Sequence, residues 1–178
     1  MITILNREIP NQIEELTIEQ FETITDINND TKLDPIDKHL KIFDFFGIKE
    51  SEFYDIDITD FIEIVKNFNT SPKKEYPTIE EIEIDGYTYK GQMKLTVRDT
   101  KIIEKLAIEK PKGYVSEMLA VMFKRVDLSA TEHYADAHIK QKAKLLKKEN
   151  ASLCIPYMLF IAHKIGQQAN DADTSAVE

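Results

Sequence analysis

The stretch "TIEEIEIDGYTYKG", residues 78–91, decides the class of fold. Isoleucines alternate with acidic residues before the dipeptide Asp85-Gly86, and tyrosines alternate with polar residues after it. Such alternation is typical of half-buried strands, and Asp-Gly is a preferred dipeptide in the two-residue turn of a tight hairpin. The sequence therefore predicts a β-hairpin over residues 79–90.

A lone two-stranded hairpin is marginally stable in water, so a third strand is expected. The start of the chain provides a candidate, because Ile2 and Ile4 alternate with Thr3 before Pro10 ends the pattern. We expect this amino-terminal strand to pair with the hairpin in a small three-stranded antiparallel sheet. The rest of the chain has helical patterns, so the predicted class is α+β, predominantly helical, with helical bundle segments.

Helices in the first half begin at recognisable capping residues. Thr17 and Gln20 have the spacing of a capping box, in which each side chain accepts the backbone N–H of the other residue. Asp34 precedes a proline at a favourable first-turn position, and Gly47 is a typical residue for the end of that helix. A third helix is predicted from near Thr59, and the three helices should form a small bundle.

The second half is predicted to be mostly helical. Thr96 or Asp99 opens one helix, and residues 115–126 make another. Ser129 and Glu132 repeat the capping-box spacing and predict the start of a long helix. The apolar positions of this long helix are Tyr134, Ile139, Ala143 and Leu146.

The chain divides at one candidate linker. Residues 69–77 are polar, contain two prolines and have no periodicity. They separate a strand with three helices, residues 1–68, from the hairpin with further helices, residues 78–166. Pairing of the first strand with the hairpin would pack the two segments together. Residues 167–178 have almost nothing to bury, and we expect a mobile tail there unless a partner orders it.

The formal charge of −9 is unevenly distributed. Residues 1–90 have 21 acidic and 9 basic residues, a balance of −12, whereas residues 91–178 have 11 acidic and 14 basic residues, a balance of +3. Such asymmetry favours self-association, in which the acidic part of one copy faces the basic part of the next. Solvated acidic helices give the same count without any partner.

The sequence contains no motif that predicts catalysis or a cofactor. A Gly-rich phosphate loop, a nucleophile elbow and a CxxC pair are all missing. We therefore expect a protein that is not an enzyme and that has no cofactor.

The lone Cys154 stands between two apolar residues, which favours a buried, inert thiol. The most apolar late stretch, residues 153–165, is too short for a membrane span.

The stretch "TEHYADAH", residues 131–138, raises a metal hypothesis through Glu132, His133, Asp136 and His138. The spacing argues against it. His133 and His138 are five residues apart and would point about 140° away from one another on a helix, whereas a helical metal pair needs a spacing of three or four. A polar surface is the preferred interpretation.

Lysines recur over residues 140–148, which suggests a surface for an anionic partner. Nucleic acid is not the expected partner, because no arginine or aromatic residue interleaves with these lysines and the whole chain is acidic. A solvated face and a docking surface for an acidic protein both stay open.

After the lysines, Pro156 breaks the helical pattern, kinks the helix or starts a new one before the apolar residues 157–165. The candidate interface residues are Lys140, Lys144, Lys148, Tyr157 and Phe160, the two aromatics serving as anchors or, alternatively, as core of the monomer.

Four successive stretches carry a resemblance to a known group of proteins: "ITILNREIP", "LTIEQFETITDI", "HLKIFDFFGI" and "IEIDGYTYKG". This order of a strand, a proline, an "LT-x-x-QF" helix start, an apolar helix ending at Gly47 and a short hairpin resembles small morphogenesis and virion proteins of tailed bacteriophages. It is particularly similar to tail-assembly-chaperone-like proteins of phages infecting gut Bacteroidetes (crAss-like phages). The resemblance covers roughly the first half of the chain.

The resemblance implies a phage structural or assembly protein that acts through protein–protein contacts in the virion, in the head–tail or tail region. The implied partners are other phage structural proteins, or further copies of the chain in a homo-oligomeric ring or array. Such a protein would be made in the host cytoplasm and located in the virion. The alternative is a non-virion phage or bacterial regulator that binds one cellular protein. Neither nucleic acid nor a membrane is an expected partner.

Overall fold

The computed structural model describes residues 1–68 and 75–175, with residues 165–175, Ala130 and Asp136 described by their backbone alone. The chain is 57% helical and also has a two-stranded and a three-stranded antiparallel sheet, which confirms the predicted α+β, mostly helical class. The strands are β1 (Ile2–Ile4), β2 (Arg7–Ile9), β3 (Glu81–Ile84), β4 (Tyr87–Gly91) and β5 (Phe123–Arg125). The helices are α1 (Ile18–Asn29), α2 (Pro35–Phe45), α3 (Ile58–Asn67), α4 (Val97–Glu109), α5 (Tyr114–Met122), α6 (Ala130–His133), α7 (Asp136–Leu146) and α8 (Cys154–Ser175).

The three-stranded sheet contains a different third strand from the one that the sequence predicts. β3 and β4 form the expected hairpin, with Ile84 opposite Tyr87. The third strand is β5, which pairs with β4 and places Phe123 opposite Gly91. The expectation that the amino-terminal strand joins this hairpin is wrong, because β1 pairs with β2 in a separate sheet. Pairing with β2 closes a loop of only a few residues, whereas pairing with the distant hairpin would close a loop of about 80 and cost more chain entropy.

Both hairpins turn through two residues with positive φ. The angle is 53° at Asp85 and 76° at Gly86, and it is 47° at Leu5 and 64° at Asn6. Two consecutive residues in this region form the turn whose twist matches that of the flanking strands. The sequence predicts the turn with glycine, which adopts positive φ without steric cost, but not the turn with leucine, which seldom does.

Helix α1 begins in the capping box that the sequence predicts. Oγ1 of Thr17 accepts the N–H of Gln20 at 3.2 Å, and the Gln20 side chain accepts the N–H of Thr17 at 2.9 Å. The first two N–H groups of α1 donate to the carbonyl oxygens of Glu149 and Lys147 at 2.9 and 3.0 Å. The start of one helix and the end of another therefore satisfy each other's unpaired backbone groups. These bonds join the first and second halves of the chain.

Helix α2 has the start and the end expected from its sequence. The Asp34 side chain accepts two backbone N–H groups, at 2.8 and 2.9 Å. At the other end, the N–H groups of Gly47 and of the next residue donate to the carbonyl oxygens of Asp44 and Phe43, which is a Schellman motif. The φ of Gly47 is 86°, a conformation that glycine adopts freely.

Aromatic rings hold α2 and α3 together. The ring centre of Phe43 lies 5.2 Å from that of Phe53 and 5.3 Å from that of Phe68. Phe53, which belongs to the 3₁₀ turn Glu50–Phe53, also lies 5.6 Å from Phe61. These separations fall in the range in which aromatic pairs attract one another. The cluster fixes the 3₁₀ turn against both helices.

Helix α5 is the centre of the hydrophobic core. Val115 and every residue from Met118 to Met122 are buried, and the helix packs against α4, α7 and α8. A helix without a solvated face is typical of a core position. At Phe123 the backbone becomes extended, with φ −92° and ψ 108°, and the chain continues directly as β5. The helix predicted over residues 115–126 therefore ends early.

The long helix predicted from Ser129 is interrupted. Ser129 caps α6 as expected, but α6 ends at His133 and the backbone of Ala135 is extended before α7 begins. His133 and Tyr134 are both buried and hydrogen-bonded, and these tertiary contacts outweigh the weak local preference for a continuous helix. Pro156 lies in the first turn of α8, so of the three alternatives it starts a new helix.

Two predicted segments extend beyond the described residues. Most of the predicted linker, residues 69–74, lies outside them, and residues 75–77 belong to neither helix nor strand. In the predicted tail, the backbone of residues 167–175 continues α8, and residues 176–178 lie outside the described residues.

Candidate interaction site

A buried polar cluster joins α6, α7 and β5. Lys142 is 1% exposed and His133 is 2% exposed. Nζ of Lys142 donates to the carbonyl oxygen of Phe123 at 2.6 Å and lies 3.0 Å from Nδ1 of His133. Nε2 of His133 lies 3.3 Å from the carbonyl oxygen of Val121. These partners assign the ring proton to Nε2, which donates to Val121, and leave Nδ1 to accept from Lys142.

Burial changes the titration of both groups. Burial, together with the nearby cations Lys124 and Arg125, lowers the pKa of Lys142 to about 7. Burial and the neighbouring Lys142 lower the pKa of His133 to about 4. Loss of water disfavours the charged form of each base, and adjacent positive charge acts in the same direction. His133 is therefore neutral near pH 7, and Lys142 titrates there.

A second buried group, Asp99, holds the start of α4 against β5 and α6. Its carboxylate accepts the N–H and the hydroxyl of Thr96 at 2.8 Å each, Nζ of Lys124 at 3.1 Å and the hydroxyl of Tyr134 at 2.5 Å. Burial opposes ionisation, but the hydrogen bonds from Tyr134, Thr96 and Lys124 outweigh it and lower the pKa of Asp99. Asp99 is thus a charged acceptor that links three elements.

Lys142 has the lowered pKa of an amine nucleophile or base, but its contacts assign it a structural role. A neutral lysine amine carries two hydrogens, and both have acceptors, in Phe123 and His133. At 1% exposure the side chain also presents almost no surface to a substrate. The cluster satisfies a backbone carbonyl at the start of β5 and ties α7 to α6.

The stretch "TEHYADAH" does not present a metal site among the described side chains. His133 is buried in the cluster with Lys142, so the polar-surface interpretation is wrong for this residue. No group of three or more His, Cys, Asp or Glu side chains in the described part of the chain is placed to hold a metal. The side chain of Asp136 lies outside the described residues. The Cys154 thiol is buried, as expected, and burial raises its pKa to about 12, which disfavours the reactive thiolate.

The five interface residues that the sequence predicts differ in their exposure in the structure. Three of them are exposed: Lys140, Lys144 and Lys148. Tyr157 is 0% exposed; its hydroxyl donates to the carbonyl oxygen of Ile79 at 2.7 Å, and its ring centre lies 4.8 Å from that of Phe123. A fully buried ring cannot anchor a partner, so the interface role of Tyr157 is corrected to the alternative, a place in the monomer core.

Phe160 is half-buried and lines a groove between α4 and α8. The groove has a volume of about 410 Å³, and its apolar lining consists of Met93, Leu95, Ile103, Phe160 and Ile161. Leu159, the residue before Phe160 on α8, is 67% exposed. This surface keeps Phe160 available to a partner.

A second groove, called the lysine groove, lies between α4 and α7. It is lined by Lys101, Ile102, Lys105, Leu106, Glu109, Pro111, Glu117, Ile139 and Lys140 and has a volume of about 550 Å³. Among the described residues, no carboxylate lies within 4 Å of the ammonium groups of Lys101, Lys105 or Lys140. The predicted interface residue Lys140 therefore shares this groove with two lysines of α4.

An exposed surface on α2, the 3₁₀ turn and α3 combines apolar side chains with acidic neighbours, and it is called the acidic patch. Its exposed side chains are Ile36 (47%), Tyr54 (70%), Ile58 (54%) and Ile62 (44%). Ile36, Tyr54 and Ile58 surround a cavity of about 170 Å³ whose floor includes Phe53. Ile62 follows Ile58 by four residues and lies on the same side of α3. Apolar side chains gathered on one surface are typical of an interaction site, whereas isolated exposed ones need no explanation.

The chain segment that forms most of the acidic patch carries acidic charge only. From Glu50 to Glu63 the sequence has six acidic residues and no lysine or arginine. All six are exposed: Glu50, Glu52, Asp55, Asp57, Asp60 and Glu63. Arg7 offsets one of them, with Nη1 2.6 Å from Oε1 of Glu52. The remaining charge favours a cationic partner at this surface.

Sequence reasoning missed the acidic patch, although a signal for it is present. Ile58 and Ile62 form an apolar pair at helical spacing beside the buried Phe61 and the partly buried Val65, which makes the apolar face of α3 wider than one core contact requires. Ile36 has helical spacing to the buried Leu40 and Phe43 on α2, yet it is 47% exposed.

Comparisons of the chain with protein-family models, curated proteins and solved structures gave no match. In the described part of the chain, no helix has both the length and the apolar character needed to cross a membrane.

Proposed function

We propose that the protein is a structural or assembly protein of a tailed bacteriophage, acting without catalysis through protein–protein contacts in the virion, in the head–tail or tail region. Its partners are other phage structural proteins or further copies of the chain. It is made in the host cytoplasm and carried in the particle. The phage assignment depends on the resemblance of the first half of the sequence to such proteins.

The observation that carries the mode of action is the acidic patch. Four large apolar side chains, each more than 40% exposed, stand on one surface, and three of them, Tyr54, Ile58 and Ile62, belong to the acidic segment. Contact with a partner removes this apolar area from water, which favours association. In contrast, the polar cluster around Lys142 is closed to solvent and has its hydrogen bonds satisfied internally.

Quantitative mass spectrometry of purified particles tests the proposal. The particles are those of the phage that encodes the chain, and the soluble fraction of infected cells is measured in parallel. We expect the protein in the particles at a fixed ratio to the other structural proteins. A protein confined to the soluble fraction and bound to one host protein would contradict the proposal and favour the non-virion regulator.

A further inference from the structure

We propose that the acidic patch of one copy docks on the lysine groove of a second copy, so that the chain associates with itself head to tail. This inference rests on the proposed function and names a second copy as the partner at the acidic patch. The two surfaces lie on different elements, the patch on α2 and α3 and the groove on α4 and α7. The two surfaces share no lining residue, as simultaneous use of both by one copy requires.

Charge complementarity favours a second copy of the chain as the partner of the acidic patch. The patch segment has six exposed acidic residues, and Arg7 pairs with one of them. The groove is lined by Lys101, Lys105 and Lys140 and by two acidic residues, Glu109 and Glu117, so its lining has a net charge of +1. Lys144 adds a further positive charge one helical turn beyond Lys140 on α7. Placing opposite charges together favours the correct orientation and a fast encounter, while like charges oppose patch-to-patch and groove-to-groove contacts.

The apolar parts of the two surfaces also match. Tyr54 and Ile58 are the most exposed apolar side chains of the patch. The groove has apolar walls of Ile102, Leu106 and Ile139, and its volume of about 550 Å³ is within the range of pockets that enclose sizeable ligands. Exposed ion pairs contribute little affinity, so the isoleucines and the tyrosine supply most of it and the charges mainly supply orientation.

The geometry of such a contact determines the kind of assembly. The surfaces that meet are different, so the interface is heterologous, and each added copy presents a new patch or a new groove. Heterologous contacts close into a ring when the rotation between copies allows it and otherwise form an open filament. A rotation of 180° would close the ring at two copies, with the patch of each copy on the groove of the other.

A charge-exchange experiment tests the proposal on the 178-residue chain. The patch-reversed variant carries Asp55→Lys, Asp60→Lys and Glu63→Lys, and the groove-reversed variant carries Lys101→Glu, Lys105→Glu and Lys140→Glu. Sedimentation velocity at low salt, with circular dichroism to verify folding, gives the mass of each alone and of their equimolar mixture. We expect the wild type to form oligomers, each variant alone to be monomeric, and the mixture to form oligomers again.

A single substitution tests the apolar anchor against a matched control. Ile58→Gln on the patch should raise the dissociation constant of self-association by about tenfold or more, since truncated anchor contacts commonly cost this much. Leu159→Gln changes a side chain that is also more than half exposed but lies on α8, beside the groove of Phe160, and should leave the constant within about twofold. The reverse result would overturn the proposal and place the interface on α8.

Two other outcomes would also overturn the proposal. One is a wild-type protein that stays monomeric at about 100 μM in low salt while being present in purified particles; the proposed function would then stand with a different partner at the patch. The other is a mixture of the two variants that stays monomeric, as each variant alone does, although both variants are folded. Self-association of a protein absent from particles would instead contradict only the proposed function.

Discussion

Replacing Lys142 with methionine should change how the stability of the protein depends on pH. In the folded chain, burial lowers the pKa of this lysine to about 7, from an ordinary value of 10.5. In the unfolded chain it regains the ordinary value. Between these two values the unfolded state binds more protons, so the free energy of unfolding rises with pH. Lys142→Met removes this contribution while keeping a side chain of similar length.

The size of the effect follows from the two pKa values. A tenfold change in a proton-binding equilibrium corresponds to about 1.4 kcal/mol, so the full effect of Lys142 approaches about 5 kcal/mol. Within the experimentally convenient window from about pH 7 to about pH 9.5, the expected rise is about 3 kcal/mol for the wild type relative to the variant. His133 does not contribute in this window, because its pKa is about 4 when folded and near 6.5 when unfolded.

Urea unfolding at several pH values measures the effect. Above about pH 9, Lys142→Met should be the less stable protein, because the Phe123 carbonyl oxygen and Nδ1 of His133 lose their donor. Toward pH 7 its relative stability should increase as the wild type acquires a buried charge. Lys144→Met, an exposed position on the same helix, is the control and should parallel the wild type. Parallel curves for Lys142→Met and the wild type would refute the burial of this amine.

Three further substitutions test local features of the fold. Thr17→Ala should destabilise the protein by about 0.5–2 kcal/mol in thermal unfolding, because the N–H of Gln20 loses its acceptor, whereas Thr23→Ala on the same helix should cost less. Gly91→Ala would place its Cβ 1.8 Å from the Tyr157 hydroxyl oxygen, so about 1–3 kcal/mol of destabilisation is expected, partly recovered with Tyr157→Phe; an unchanged melting temperature would contradict this packing. A Cβ at residue 86 would meet no atom within 4 Å, so Gly86→Val should destabilise the protein only through the φ of 76°, by about 1–2 kcal/mol. This loss should appear as faster amide exchange at Tyr89.

Features that depend on near neighbours in the sequence could be predicted. The capping boxes at Thr17 and Ser129, the cap at Asp34 and the Asp85-Gly86 turn all have the predicted form. Each is a contact between residues at most three apart, so the residue types alone specify it. The mostly helical class follows from the same signals.

Features that depend on long-range contacts could not be predicted. β5 has only three residues and directly follows the buried helix α5, so its letters continue an apparent helical pattern. Lys142 stands among exposed lysines, and only the break before α7 and the partners His133 and Phe123 bring it into the core. The interface residues divide for the same reason: Tyr157 and Phe160 are close in sequence, but only the former points at β4 and β5.

Zero-length cross-linking between isotopically distinct copies tests the docking of patch on groove most directly. Normal and ¹⁵N-labelled protein are mixed, treated with a carbodiimide that joins carboxylates to amines, and digested for mass spectrometry. We predict mixed-isotope cross-links from the carboxylates between Glu50 and Glu63 to Lys101, Lys105 or Lys140. Mixed-isotope cross-links that avoid the lysine groove, in samples that sediment as oligomers, would contradict the account.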